Sequence, residues 1–198
     1  MGLEMVEEMK SLEKSAEECR LCELWKNREK LVFGEGPVNA KIMLIGLGPG
    51  YWENKKGRPF VGAAGKLLNT LLALAGLKRE EVYITNVVKC YLPDNTVTEE
   101  EVKICTSHYL DKQISIIKPK IIITLGNVAT RYIFEKFGIE IKSMGKIHGK
   151  IFHVSNLFIN SKIIPMYHPA AALRNPSLRS IIEEDWKLLG KILNEGQK

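Results

Sequence analysis

The stretch KIMLIGLGPGYWENKKGRPFVGAAG, residues 41–65, decides how the chain folds. Lys41 to Gly46 form a short apolar run with the pattern of a buried strand. The run ends in Gly46-Leu47-Gly48-Pro49-Gly50, passes through charged residues, and returns to Gly57-Arg58-Pro59-Phe60-Val61-Gly62 before a helix begins. So much glycine at the carboxyl end of a strand implies that something is held there.

The neighbouring segments supply the frame. AAGKLLNTLLALAG (63–76) reads as a helix stopped by Gly76, and EVYITNVVKC (81–90) as a second strand. Thr98 followed by Glu101 makes a capping box that starts a helix running to about Ile117. KIIITLG (120–126) is a third strand, and the helix NVATRYIFEKFG follows at once. Loop and short-strand sequence fills residues 141–160. KIIPMYHP (162–169) then reads as a fourth strand and SLRSIIEEDWKLLGKIL as an amphipathic helix. Residues 3–18 also have helical spacing. Strands alternating with helices imply parallel pairing and right-handed crossovers. The expected fold is α/β: a three-layer α/β/α sandwich around a mainly parallel four-stranded sheet, one domain over residues 1–198. In such sheets ligands bind outside the carboxyl ends of the strands. GLGPG, NVVKC, LGN and YHP should therefore meet at one rim.

Composition bounds the function classes. The 198 residues are 45% hydrophobic and 26% charged, which suits one compact core and gives no sign of disorder. No apolar run is long enough to span a bilayer. The charged opening, MGLEMVEEMKSLEKSAEEC, has no secretory h-region, and MGLEMV lacks the Ser or Thr of a myristoylation signal. A cytoplasmic protein is expected, and the abundance of Lys, Glu and Ile points weakly to a heat-adapted source. The net charge of +6 agrees with an anionic partner and equally with a lysine-rich soluble surface.

Cys19, Cys22, Cys90 and Cys105 are the only cysteines, and the first two form a C-x2-C pair. Four thiols with one such pair suggest a shared metal centre in a reducing compartment. Thiolates suit either tetrahedral zinc or an iron–sulfur cluster, and spacing does not separate the two. The centre would tie the N-terminal helix to the sheet.

Together these features resemble the family 4 uracil-DNA glycosylases, the iron–sulfur-containing branch of their superfamily. The resemblance runs from Cys19 to the C-terminal helix. It rests on C-x2-C at 19 and 22, G-x-G-P-G at 46–50, GRPFVGAAGKLL at 57–68, TNVVKC at 85–90, Cys105, KPKIIITLGNVA at 118–129 and HPAAALR at 168–174. It implies a monofunctional enzyme that removes uracil from DNA, with a structural [4Fe-4S] cluster on the four cysteines. Phe60 would be the ring on which the extruded base stacks. Asn86 would read the Watson–Crick edge, since an amide accepts from N3–H and donates to O4 whereas cytosine reverses those polarities. His168 would donate to O2 as negative charge develops on the leaving base. His108, His148 and His153 have no such context and read as surface or structural residues.

The sequence departs from the family where it most matters. Leu47 stands where the family usually has Glu, reading Gly-Glu-Ala-Pro-Gly, so only the backbone N–H groups of Leu47 and Gly48 remain to meet the base there. Glu53 either crowds a thymine methyl, orients water, or is an exposed loop carboxylate beside Lys55 and Lys56. In AALRNPSLR, Leu173 is the candidate wedge into the duplex, with Arg174 and Arg179 near phosphates; a loop and helix start capped by Ser177 is the plainer reading. The carboxylates at 183–185 read as a solvated helix face. A monomer acting on single- or double-stranded uracil-containing DNA is expected, with no clear sliding-clamp motif. The rival readings are shifted specificity toward hypoxanthine or xanthine, a weak uracil-DNA binder, and a redox iron–sulfur protein.

Overall fold

The computed structural model describes residues 2–195; Met1 and residues 196–198 of the expected 1–198 unit lie outside the described residues. The core is a sheet of β1 (Ile42–Gly46), β2 (Tyr83–Asn86), β3 (Ile121–Leu125), β4 (Phe152–Ser155) and β5 (Asn160–Met166) in the order β2-β1-β3-β5-β4. The first four positions are parallel, and β4 pairs antiparallel with β5 at the edge. The sheet thus has five strands where the sequence suggested four. The extra one lies in the stretch read as loop and short strand, where a half-exposed four-residue edge strand leaves little apolar signal.

Two expected strands are shorter than their apolar runs. β2 ends at Asn86, and the chain then leaves the sheet, with Val87 and Val88 N–H donating to the carbonyls of Gly46 and Leu47. β5 ends at Met166, because Pro169 sits at the first position of a helix that His168 caps. Both departures put side chains at the rim that a continuing strand would have turned into a face.

Helices α1 (Gly2–Glu17), α4 (Glu99–Cys105), α5 (Asp111–Ile117) and α6 (Asn127–Phe137) cover one face of the sheet; α3 (Ala63–Leu74), α8 (Pro169–Arg174) and α9 (Arg179–Glu195) cover the other. The β1 residues alternate between the two cores, Met43 and Ile45 to one and Leu44 to the other. The capping box at Thr98 is present in both directions, at 2.8 and 3.2 Å. A π-helical turn, Thr106–Leu110, interrupts the helix immediately after Cys105.

The charged stretch after GLGPG holds a short helix, α2 (Tyr51–Lys56), ended by Gly57 in the left-handed conformation. Buried Asn54 anchors it by accepting from the Glu29 and Lys30 N–H groups at 2.8 and 3.4 Å. A four-residue helix, α7 (Met144–Ile147), precedes β4. The carboxylates at 183–185 are not all solvated. Glu183 pairs with Arg179, but Asp185 turns inward to His148 Nδ1 at 2.7 Å. No helix of the described residues is long and apolar enough to cross a membrane.

Candidate active site and thiol centre

Four strand ends converge on one cavity of about 380 Å³. Its wall includes Leu47 and Gly48 after β1, Asn86 at the end of β2, Gly126 and Asn127 after β3, and His168 after β5. Phe60, Glu53 and Arg174 complete it. The expected meeting of loops at one rim is thus observed.

Gly46 explains how Phe60 and Asn86 come together. A Cβ there would stand 2.5 Å from Asn86 Oδ1 and 2.7 Å from Phe60 Cζ, so both side chains occupy the space any larger residue needs. The Phe60 ring in turn stacks on the His168 imidazole, with centroids 5.6 Å apart and planes at 28°. Phe60, Asn86 and His168 share one small volume.

The backbone of Phe60 is held against its preference. Its φ is +51°, a left-handed conformation that non-glycine residues adopt at a cost. Three contacts fix it. Arg79 donates to the Phe60 carbonyl at 3.0 Å and to that of Pro59 at 2.5 Å, while its guanidinium also grips Glu35. Glu53 Oε1 accepts from the N–H groups of Val61 and Gly62, both at 2.9 Å. Gly65 lies so close that a Cβ would fall 1.9 Å from the Phe60 carbonyl oxygen. Sequence reading missed Arg79 altogether, and nothing in REEVY signals a contact twenty residues away.

Glu53 is therefore not the free loop carboxylate considered from sequence. It faces the cavity, yet one of its oxygens is committed to the loop that presents Phe60.

Asn86 is 2% exposed. Its carbonyl oxygen accepts from Lys89 Nζ at 2.7 Å, but its side-chain amide has no protein hydrogen-bond partner among the described residues. The amide is not sealed away unsatisfied: Trp186 Nε1 is the one fully buried side-chain polar atom without a partner among the described residues. The open side of Asn86 is the cavity. Lys89, also missed from sequence as more than part of a motif, is 1% exposed and bonds Thr85 Oγ1 and Gln113 Oε1 as well. Burial lowers its pKa to about 7. No lysine lines the cavity among the described residues.

His168 Nδ1 accepts from the Ala170 N–H at 3.1 Å, capping α8. The bond assigns the neutral ring's proton to Nε2, leaving that nitrogen as a donor. Burial first, and then the nearby Arg174 charge, lower the pKa to about 4, so the ring is neutral at pH 7.

The expected duplex contacts are only partly gathered. Arg174 lines the cavity and Leu173 is 47% exposed on α8. Arg179 begins α9 and pairs with Glu183 at 2.9 Å, away from the cavity wall. The cap in this segment is Asn175, whose Oδ1 accepts from the Ser177 N–H at 3.2 Å, and not Ser177. Leu47 packs its side chain against the core and offers no charge. No protein acceptor takes the Leu47 or Gly48 N–H among the described residues.

A model of the Uracil DNA glycosylase superfamily matches residues 33–190. The chain belongs to that superfamily. Among its relatives, the Type-4 uracil-DNA glycosylase of Sulfurisphaera tokodaii is 50% identical over 188 residues, covering 93% of this chain and 86% of the relative. That of Archaeoglobus fulgidus is 44% identical over 180 residues, covering 90% of each. The Thermotoga maritima protein of the same name is 42% identical over 180 residues, covering 89% of this chain and 90% of the relative. The family 4 resemblance read from the motifs is borne out by these relatives, and the convergent loops of this superfamily member are the ones its matched segment contains.

The four cysteines of this superfamily member lie on one side of the sheet. Cys90 and Cys105 are buried, Cys19 and Cys22 partly so, and all four belong to or pack against the same core cluster. Burial raises the Cys90 thiol and pushes that of Cys105 up to about 12. Arg28 lies among them, with Nη1 3.5 Å from Cys90 Sγ and both Nη atoms on the carbonyls of residues 16, 17 and 19. No group of three or more His, Cys, Asp or Glu side chains stands close enough to hold one metal ion among the described residues.

Proposed function

We propose that this chain is a monofunctional DNA-repair glycosylase that hydrolyses the N-glycosidic bond of deoxyuridine, releasing uracil and leaving an abasic site. The observation that carries this reading is the Asn86 amide, free of protein partners among the described residues, beside the Phe60 ring at a cavity with room for a nucleobase. A glycosylase must take its base out of the stack and satisfy its edge in a fitted pocket. The base stacks on Phe60. The amide oxygen accepts from uracil N3–H and the NH2 donates to O4, which a cytosine edge opposes at both atoms.

The chemistry needs little more. As the C1′–N1 bond breaks, its electron pair moves onto the uracil ring and positive character grows on the sugar. His168 Nε2–H, fixed by the cap to Ala170, donates to O2 and stabilises the anion without transferring its proton. Water adds to C1′ and loses a proton to solvent. The N–H groups of Leu47 and Gly48 supply the further donors that a side chain at position 47 cannot. With no lysine at the cavity among the described residues, none of them offers an amine to C1′, which agrees with a monofunctional enzyme.

Since His168 is neutral down to about pH 4, the rate of the chemical step should show no inflection near the ordinary histidine value of 6.5. The neutral ring persists throughout that range; only as pH falls toward 4 does a proton reach Nδ1, which ends the cap to Ala170 while Nε2–H stays a donor. A single-turnover pH–rate profile showing a histidine-like step between pH 6 and 7 would contradict this.

Glu53 acts as a positioning residue that holds the Phe60 loop. Glu53→Gln keeps an oxygen acceptor for Val61 and Gly62 and should retain activity within about tenfold. Glu53→Ala removes it and should cost on the order of 10²-fold, the scale of a misplaced pocket wall. Equal, severe losses in both variants would instead assign the carboxylate charge to water activation.

On the DNA side, Arg174 is the phosphate contact best placed by the cavity and Leu173 the wedge; Arg179 contributes only after leaving Glu183. We infer that the four thiols hold a [4Fe-4S] cluster. Spacing leaves zinc and iron–sulfur open, and the resemblance to the iron–sulfur family 4 enzymes supports the cluster. Cys19, Cys22, Cys90 and Cys105 would be its ligands. When bound it supplies cross-links between the N-terminal segment and the sheet.

Leu47 motivates the test. Duplexes carrying uracil, hypoxanthine or xanthine, incubated with the protein and with a Leu47→Glu variant, are assayed for alkali-labile abasic sites. Cleavage of the uracil duplex by the natural chain is expected. Cleavage confined to another base would transfer the reading to that substrate.

A further inference from the structure

Tyr51 and Trp52 open α2 and are 53% and 56% exposed. Neither lines the cavity, though Gly50 and Glu53 on either side of them do. Two adjacent aromatic rings therefore stand in solvent at the mouth of the site, with no part in holding the base or the core.

They are not loosely placed. The rings pack edge to face, 5.2 Å apart at 82°. Lys55 Nζ sits 5.5 Å over the Tyr51 ring. The indole lies along the backbone at Gly62, where even a Cβ would meet Trp52 Cδ1 at 3.6 Å. Asn54 fastens the same helix to residues 29 and 30. A rigid, exposed ring loses little freedom on binding.

The surroundings favour a polyanion. Lys55 and Lys56 share the helix, and Arg58 follows it. Lys55 and Arg58 pair with Glu29 and Glu35, and Lys56 has no ion pair among the described residues. The one carboxylate of α2, Glu53, is turned onto the Val61 and Gly62 N–H groups. Across the cavity stands Arg174.

We propose that Tyr51 and Trp52 form a stacking platform for a nucleobase adjoining the extruded nucleotide on the same strand. The inference rests on the glycosylase reading. Extruding one nucleotide leaves its neighbours with an unstacked face, and exposed aromatic rings beside cations accept such faces without regard to sequence. The platform is most valuable where no complementary strand keeps the neighbour stacked, so it favours single-stranded or locally unpaired DNA.

The test uses the whole protein and an oligothymidylate free of uracil, followed by tryptophan fluorescence and by direct binding. Quenching is expected in the natural chain. Trp52→Ala should weaken oligothymidylate binding roughly 5- to 150-fold, the worth of one stacked base, and Tyr51→Ala should weaken it less. Trp52→Phe should retain affinity within a few-fold while losing the quench. With uracil in the strand, the loss should appear in KM more than in kcat, and more for single-stranded than for duplex substrate. Unchanged affinity and KM in both alanine variants, each folded by circular dichroism, would overturn the platform. So would a pair that proves to join two copies of the chain and leaves DNA affinity untouched. If the natural chain releases no uracil from either substrate, the glycosylase reading fails, whereas oligothymidylate binding still judges the platform by itself.

Discussion

His168→Ala lowers the single-turnover rate of uracil release by roughly 10²–10³-fold, the cost of losing one donor aimed at a developing anion. The geometry gives this residue two separable duties. On the proposed reading Nε2 donates to the base, and Nδ1 accepts from Ala170 N–H to cap α8. Loss of the cap alone costs about 1 kcal/mol of stability, so the alanine variant should also melt earlier. His168→Asn separates the two, because its short side-chain oxygen can still cap Ala170 while it cannot reach the base. It should regain stability without regaining rate. A His168→Ala protein with rates near those of the natural chain would remove His168 from the chemistry.

Gly46→Ala should be nearly as damaging, although the residue touches no substrate. Its added methyl would have to displace Asn86 Oδ1 from 2.5 Å and the Phe60 ring from 2.7 Å. Either could yield only toward the cavity, out of the position that meets the base. Asn86 is 2% exposed at the end of β2 and tied through its carbonyl to Lys89. Phe60 is fixed by Arg79 behind and by the His168 ring in front. Misplacing a binding group by about 1 Å can cost 10²-fold, and a loss of that order in kcat/KM is expected, with circular dichroism showing an intact fold. Activity unchanged by this methyl would mean that Phe60 and Asn86 are not held as described.

The sheet and the rim were legible in the sequence because each rests on local signals. Buried parallel strands read as apolar runs, as at Ile42–Gly46 and Ile121–Leu125, and glycine, proline or asparagine marks each strand end. The convergence of Phe60, Asn86 and His168 followed from topology plus the family resemblance. What was not legible depends on contacts distant in the chain. β4 is half exposed and too short for a period. α2 is a six-residue helix whose anchor, Asn54, bonds backbone twenty-five residues earlier. Arg79 clamps a loop nineteen residues before it. For Glu53 the sequence left a pocket-mouth role and an exposed loop carboxylate both open, and its grip on the Val61 and Gly62 N–H groups depends on how the loop returns. What leucine lacks at position 47 is visible in the sequence, while its packing against the core and its place in the cavity wall are not.

The central claim is that one cavity, built from separate strand ends, seats an extruded uracil with its polar edge on Asn86. The structure of the protein bound to DNA carrying a non-hydrolysable deoxyuridine analogue tests it most directly. The base should lie on the Phe60 ring, with the Asn86 amide within hydrogen-bond distance of N3 and O4 and His168 Nε2 at O2. A base that stays in the duplex, or settles with its edge turned away from Asn86, would contradict the account.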